Sequence, residues 1–121
     1  MAEKHDIGKK GEKIASEHLT DMGYTILETN WQSNHQEIDI IAQKDDLLVI
    51  AEVKARSTKF FGTPESFVTK AKQRMLIKAA NHYIAQHQLD LEVRFDIISI
   101  LFKNDQHLLN HIEDAFYPTV R

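Results

Sequence analysis

Cysteine is absent from this chain of 121 residues, which excludes a disulfide framework and a thiolate-ligated zinc site. No repeat, low-complexity segment or long linker divides the sequence, so we expect one domain over residues 1–121. No apolar run approaches the roughly 20 residues that cross a bilayer. The charged start Met1-Ala2-Glu3-Lys4 is unlike a signal peptide. We therefore expect a cytoplasmic protein with no membrane partner.

Positive charges are slightly outnumbered by negative charges, and many of them are concentrated in one stretch. The net charge is -3, which argues weakly against a nucleic-acid binder. Residues 54–78, however, carry a charge of +6, and the remainder of the chain carries -9. Such a stretch could hold a phosphate backbone. Taken alone, it is more typical of a solvated helix face.

The hydrophobic pattern predicts two helices and five strands. Helical spacing indicates a first helix over residues 4–22, ended by Gly23, and Gly8 and Gly11 hint at close packing against it. Period-two patterns predict strands at residues 24–31, 37–42, 47–54, 94–101 and 107–112, with a loop at 61–64. Thr69 can cap a second helix that ends near residue 87. Its expected inner face comprises Leu76, Ala80, Tyr83 and Ile84. This order predicts an α/β sheet covered by helices on its faces.

Charged residues interrupt the two apolar strands of the central hairpin. Asp39 lies within Glu37-Ile38-Asp39-Ile40-Ile41-Ala42, and Glu52 and Lys54 end the next apolar run. Burying such charges costs several kcal/mol per ion unless something compensates. A divalent cation bound to oxygen ligands is one compensator.

The length of the hairpin loop leaves two registers open. A two-residue loop at Lys44-Asp45 would place Asp39 opposite Ile50, with Glu52 diagonal to it. A four-residue loop at residues 44–47 would place Asp39 directly opposite Glu52. In either register Asp39, Glu52 and Lys54 share one face, because strand side chains alternate.

Two carboxylates and a lysine on one face are suited to cutting a phosphodiester. Asp39, Glu52 and the carbonyl of Val53 would hold Mg²⁺ or Mn²⁺, and Lys54 would lie beside the attacking water or the oxyanion. A structural interpretation stays open from the spacing alone. Glu52 could pair with Lys54 or Arg56 at a solvated strand end, and Asp39 could pair with another base.

Several stretches together carry a family resemblance. They are Gly8, Gly11-Glu12, Glu37-Ile38-Asp39-Ile40-Ile41-Ala42, Glu52-Val53-Lys54-Ala55-Arg56, Gly62-Thr63-Pro64-Glu65, Lys72-Gln73-Arg74 and Arg94-Phe95-Asp96. Nearly the whole chain resembles the small bacterial YraN family, described as nuclease-like and uncharacterised. The element order and the motif are similar to the PD-(D/E)xK nuclease superfamily. That resemblance implies a restriction-endonuclease-like three-layer core, with a central mixed sheet and helices on both faces.

The resemblance also implies roles for individual residues. Asp39 and Glu52 would ligate the metal and Lys54 would assist catalysis. Glu12 matches an acidic residue that joins the metal site in archaeal Holliday-junction resolvases. The sequence departs from the family patterns at Ile38, where the motif has proline, and at Gln36, where YraN-like sequences usually have glycine.

Other polar residues have less specific signals. The expected nucleic-acid contacts are Arg56, Lys70, Lys72, Gln73 and Arg74, although a surface location explains the helical ones equally well. Glu37 could be a ligand, a partner of Arg56, or neither. Asp96 is expected to pair with Arg94 or a helical base. A zinc site is set aside, because His107 and His111 would stand about 13 Å apart on a strand.

Two functions remain open. The first is a metal-dependent nuclease acting on branched or single-stranded nucleic acid, with DNA favoured over RNA. The second is a nucleic-acid-binding or scaffolding domain that keeps the nuclease fold without turnover. Retention of Glu12, Asp39, Glu52 and Lys54 favours the first. A homodimer would suit a two-fold symmetric substrate such as a junction.

Overall fold

The computed structural model describes residues 2–57 and 68–117, with side chains from residue 6 onward. Its elements are α1 (Ala2–Asp21), β1 (Thr25–Ser33), β2 (Gln36–Lys44), β3 (Leu47–Ser57), α2 (Lys70–His87), β4 (Glu92–Lys103) and β5 (Gln106–Phe116). The expected order of helix, three strands, helix and two strands is confirmed. The loop expected at residues 61–64 lies outside the described residues.

The strands form one mixed sheet in the order β1-β2-β3-β4-β5. Neighbouring strands are antiparallel except β3 and β4, which are parallel and are connected through α2. The expected α/β class is therefore confirmed. Between the antiparallel strands lie the two-residue turns Asn34-His35, Asp45-Asp46 and Asn104-Asp105, where Asn and Asp tolerate the positive φ that tight hairpins need.

The β2–β3 hairpin adopts one of the two registers left open by the sequence. Ile40 pairs with Ala51 and Lys44 pairs with Leu47. Continuing this register by one residue puts Asp39 across from Glu52, as expected for the longer loop. The turn nevertheless contains only Asp45 and Asp46, because Lys44 and Leu47 also pair. The expected two-residue length is therefore confirmed, but its expected position at Lys44-Asp45 was wrong by one residue.

Consecutive residues of the central strands belong to two separate hydrophobic clusters. The first cluster includes Ile41, Leu48, Ile50, Phe95, Ile97, Leu76, Ala79, Ala80 and Tyr83. The second includes Ile40, Ala42, Val49, Ala51, Ile98, Ile100, Ala15 and Leu19. Residues of α2 thus occur in the first cluster and residues of α1 in the second. The expected inner face of α2 is confirmed, with Ile84 partly buried at its border.

Glycines and caps fix the ends and the approach of the helices. A Cβ at Gly11 would lie 2.7 Å from the Cβ of Ala55, so the expected close packing is confirmed there. The expected close packing was wrong at Gly8, because no atom of the described residues lies within 4 Å of a Cβ at this position, which borders an open cleft. Gly23, with φ +96, follows the end of α1 as expected. Thr69 caps α2 by accepting a hydrogen bond from the Lys72 N–H at 3.1 Å.

Within the described part of the chain, neither helix is long and apolar enough to cross a membrane.

Candidate metal and catalytic site

A cleft of about 720 Å³ opens beside the second half of β3. Its lining residues are Ile7, Gly8, Glu12, Asp39, Glu52, Val53, Lys54, Ala55, Arg56 and Ser57. All four expected catalytic residues are therefore brought to one cleft, although they come from α1, β2 and β3. The small side chains at Gly11 and Ala55 permit this, because they let α1 approach β3 closely.

Asp39 is half-buried and is held by the backbone of the neighbouring strand. Its Oδ2 accepts a hydrogen bond from the Val53 N–H at 2.8 Å. Burial above all, together with the charges of Glu52 and Glu12, raises the pKa of Asp39 to about 7 against the opposing hydrogen bond from Val53. Near neutral pH the Asp39 carboxyl therefore holds a proton for much of the time unless a cation takes its place.

Glu52 is only 4% exposed because it follows the apolar run of β3 in the middle of the sheet. Its Oε2 lies 3.5 Å from the Lys54 Nζ and 3.4 Å from the Lys72 Nζ. Its Oε1 is buried and has no hydrogen-bond partner among residues 6–57 and 68–117. An unsatisfied buried carboxylate oxygen is expensive, and such an atom in a folded protein calls for a water, an ion or a catalytic role as its explanation.

Lys72 has a contact that the sequence did not predict. It lies in the first turn of α2, and the sequence assigned it to a phosphate-binding surface. The structure places its ammonium on Glu52, beside that of Lys54, and the phosphate-binding role stays a prediction. No signal in the sequence pairs these two positions, because they come together only through the crossover between the parallel strands.

Glu12 is held by Asn30, a residue to which the sequence gave no role. The Nδ2 of Asn30 donates a hydrogen bond to the Glu12 Oε1 at 3.1 Å. Glu12 faces Asp39 closely enough to raise the pKa of that carboxyl. The carboxylates of Glu12, Asp39 and Glu52 therefore line the same cleft.

The other expected contacts are only partly brought together. Arg56 lines the cleft and donates from Nη1 to the Ala55 carbonyl at 2.8 Å. Gln73 donates to the Val68 carbonyl at 3.1 Å, while Lys70 and Arg74 are exposed on α2 outside the described cleft lining. Glu37 is exposed and is not among the lining residues.

The ligand set for an ion must include groups other than side chains. Within residues 2–57 and 68–117, no three His, Asp or Glu side chains are arranged to hold a metal ion by themselves. Asp39 and Glu52 with the Val53 carbonyl remain the expected set, and water would complete it. Mg²⁺ commonly keeps several waters when one or two carboxylates hold it.

A second buried carboxylate, Asp96, gives a useful contrast. Arg94 donates to both oxygens of Asp96 at 2.8 Å, so the expected pairing with Arg94 is confirmed. The His111 Nε2 lies 2.7 Å from Oδ2, and the Asp114 N–H donates to Oδ1 at 3.0 Å. Burial opposes ionisation of Asp96, but these hydrogen bonds outweigh it and lower the pKa. The charge of Asp96 is therefore stabilised without a cation, whereas one oxygen of Glu52 has no hydrogen-bond partner among the described residues.

Comparisons with a family profile and with known proteins indicate the same family. The profile described as "Uncharacterised protein family UPF0102" matches residues 11–100, a span that contains Glu12, Asp39, Glu52 and Lys54. A UPF0102 protein of Flavobacterium psychrophilum is 52% identical over 117 residues, which cover 97% of this chain and 98% of the relative. A UPF0102 protein of Christiangramia forsetii is 47% identical, with 97% and 98% covered. One of Parabacteroides distasonis is 45% identical, with 100% of both chains covered.

Proposed function

This chain belongs to the uncharacterised, YraN-like family UPF0102, and we propose that it is a metal-dependent nuclease. It hydrolyses phosphodiester bonds in branched or single-stranded nucleic acid, with DNA favoured over RNA. The family description assigns no function. The proposal therefore depends on the cleft and on the resemblance to the PD-(D/E)xK superfamily.

One observation carries the proposal. In the part of the chain that the structure describes, the Oε1 of Glu52 is buried without a hydrogen-bond partner, beside an Asp39 whose pKa is raised to about 7. Both features are unfavourable in the isolated chain, and one divalent cation between the two carboxylates would relieve both. A purely structural carboxylate would be expected to have its oxygens satisfied, as those of Asp96 are.

The residues of the cleft would have different roles in the reaction. Asp39, Glu52 and the Val53 carbonyl would hold Mg²⁺ or Mn²⁺, which supplies Lewis-acid polarisation of the phosphate and activation of water when bound. The Lys54 Nζ lies 3.5 Å from the Glu52 Oε2, and the Lys54 side chain is 19% exposed at the cleft. Its ammonium can therefore orient the attacking water or stabilise the oxyanion. Glu12 adds negative charge on the side of α1, and Arg56 at the rim can contact a phosphate.

The finer architecture belongs to the same proposal. We assign the chain a single restriction-endonuclease-like domain, with three layers and one helix on each face of the sheet. The alternation of strand residues between the cluster that contains α2 and the cluster that contains α1 supports this arrangement.

Substitution of Lys54 tests catalysis separately from folding. Lys54→Met keeps a side chain of similar length without the charge, so we expect it to fold, bind Mn²⁺ and bind nucleic acid, but to lose cleavage. Lys103→Met, at an exposed position at the end of β4, is the control and should cleave normally. Cleavage and melting temperature are measured on the same preparations. Full cleavage by Lys54→Met would contradict the assigned role.

The alternative is a binding or scaffolding domain without turnover. The observation that favours it is the pair of lysines, Lys54 and Lys72, which already offset the charge of Glu52. The wild-type protein decides between the two functions when it is assayed with Mn²⁺ on duplex, single-stranded, flap, junction and RNA substrates. Binding without cleavage of any of them would establish the alternative.

A further inference from the structure

Asn30 has an unusual backbone conformation for a residue inside a strand. Its φ is +51, a value that L residues adopt at a cost which is smallest for Asn and Asp. Most of the described non-glycine residues with positive φ occupy hairpin turns or a helix cap, where the chain must reverse or end. Asn30 is in the middle of β1, so no turn accounts for its conformation.

The position of Asn30 in the sheet supplies a reason. Thr29 pairs with Ile40 and Trp31 pairs with Ile38, so Asn30 stands at the level of Asp39 on the adjacent strand. The side-chain amide of Asn30 extends from the strand and donates a hydrogen bond to Glu12 of α1 at 3.1 Å. The strained residue therefore connects the strand beside Asp39 to the third carboxylate of the cleft.

The chemistry of the side chain fits this connection. The amide Nδ2 is a neutral donor, so it fixes the carboxylate of Glu12 without cancelling its charge. A lysine or arginine there would compete with a cation, and an aspartate would add a fourth repelling carboxylate. Groups that hydrogen-bond metal-site carboxylates commonly change metal affinity by about 10- to 100-fold when they are removed.

We propose that Asn30 is a positioning residue of the metal site, which holds the Glu12 carboxylate towards Asp39. The inference rests on the proposed function, since it requires that the cleft binds a divalent cation. It explains both the left-handed backbone and the hydrogen bond to Glu12 by one role. Asn30 does not itself touch substrate or metal in this role.

Glycine substitutions at two asparagines separate this role from a structural one. Asn30→Gly keeps a residue that tolerates positive φ and removes the side chain with its amide. Asn34→Gly is the matched control, because Asn34 also has φ +51 but lies in the exposed β1–β2 turn. Calorimetric titration with Mn²⁺ and melting temperature without metal are measured for both. We expect Asn30→Gly to weaken Mn²⁺ binding about tenfold while melting like the control.

A double-mutant cycle with Glu12→Gln tests the route of the effect. If Asn30 acts through Glu12, Asn30→Gly should cause no further loss of affinity in the Glu12→Gln background. Equal losses in both backgrounds, or a lowered melting temperature with unchanged affinity, would overturn the inference while leaving the metal site intact. Absence of Mn²⁺ binding by the wild type would overturn the metal site itself, and this inference with it.

Discussion

At the scale of single residues, the molecule buries two central carboxylates in different ways. Asp96 is surrounded by donors from Arg94, His111 and the backbone of Asp114. Glu52 has two ammonium groups on one oxygen and no described donor on the other. The first arrangement is complete in the chain itself, and the second is suited to a ligand that brings positive charge.

The raised pKa of Asp39 predicts a pH-dependent affinity for Mn²⁺. An ion must displace the proton, so below a pKa of about 7 affinity should rise about tenfold per pH unit and then level off. At pH 6, calorimetry in buffers of different ionisation enthalpy should detect release of about one proton per ion. Asp39→Asn should lose Mn²⁺ binding together with this linkage, because it removes an expected ligand, and Asp45→Asn in the exposed turn should retain both. Binding at pH 6 without proton release would contradict the prediction.

The same shift fixes the sign of a stability effect without metal. The folded chain binds the Asp39 proton more tightly than the unfolded chain, whose pKa is near 3.8. Between these two values the contribution of Asp39 to stability is greatest at low pH and is lost as the pH rises towards 7. Comparison of urea unfolding of the wild type and Asp39→Asn across this window isolates that contribution.

Sequence reasoning identified the ionic residues of the cleft but not their neighbours. Asp39, Glu52 and Lys54 stand out because they are charges in apolar strands, which is visible in a linear pattern. Asn30 and Lys72 give no such signal, because an Asn in a strand and a Lys in a helix are ordinary. Their contacts depend on the approach of α1 to β3 and on the return of α2 over the sheet.

At the scale of elements, local chemistry predicted the helix ends well. Thr69 and Gly23 have capping functions that depend only on adjacent residues, and both were confirmed. The β2–β3 turn was predicted less well. Four polar residues between the strands allow more than one loop, and pairing between Lys44 and Leu47 decides the length through the sheet rather than through the turn sequence.

The packing of α1 predicts opposite effects at its two glycines. Gly11→Ala would place a Cβ 2.7 Å from that of Ala55, so the helix must shift and we expect destabilisation by about 1–3 kcal/mol. Gly8→Ala meets open space, and removing a flexible glycine from a helix should stabilise by about 0.5–1 kcal/mol. Urea unfolding of the two variants gives both values. Equal effects would contradict the close approach of α1 to β3.

The start of α2 predicts a salt-dependent interface. If this helix contacts a phosphate backbone, Lys72→Ala combined with Arg74→Ala should weaken binding to duplex DNA. The slope of log affinity against log salt should fall by about 0.9 for each lost contact. Lys103→Ala is the control for a general loss of charge. An unchanged slope in the double variant would move the interface away from α2.

At the scale of the whole molecule, the cleft is assembled from elements that are distant in the chain. Its lining residues come from α1, β2 and β3, and Asn30 of β1 and Lys72 of α2 contact two of them, so ion binding should stabilise the complete fold rather than one hairpin. Mn²⁺ at about 100 times its dissociation constant adds about 2.7 kcal/mol. For a domain of this size that corresponds to a rise in melting temperature of roughly 10 °C.

Two glutamates provide the test of this stabilisation. Glu52→Gln should abolish the rise caused by Mn²⁺, because it removes the buried carboxylate of the cleft. Glu37→Gln, at an exposed position outside the cleft lining, should keep the full rise. Loss of the response in Glu37→Gln would make Glu37 a ligand instead, and this is the alternative that the sequence left open. Differential scanning calorimetry measures all three proteins.

The parallel pairing of β3 with β4 also sets an order of assembly. The other three strand pairs can form locally through two-residue turns, whereas β3 and β4 meet only after the chain has closed the long crossover through α2. Glu52 pairs with Ile97 of β4 and contacts Lys72 of α2, so we expect its final surroundings to form only at that step. A chain still emerging from the ribosome would therefore lack these contacts of Glu52. If that step follows the folding transition state, Mn²⁺ should slow unfolding and leave the refolding rate unchanged.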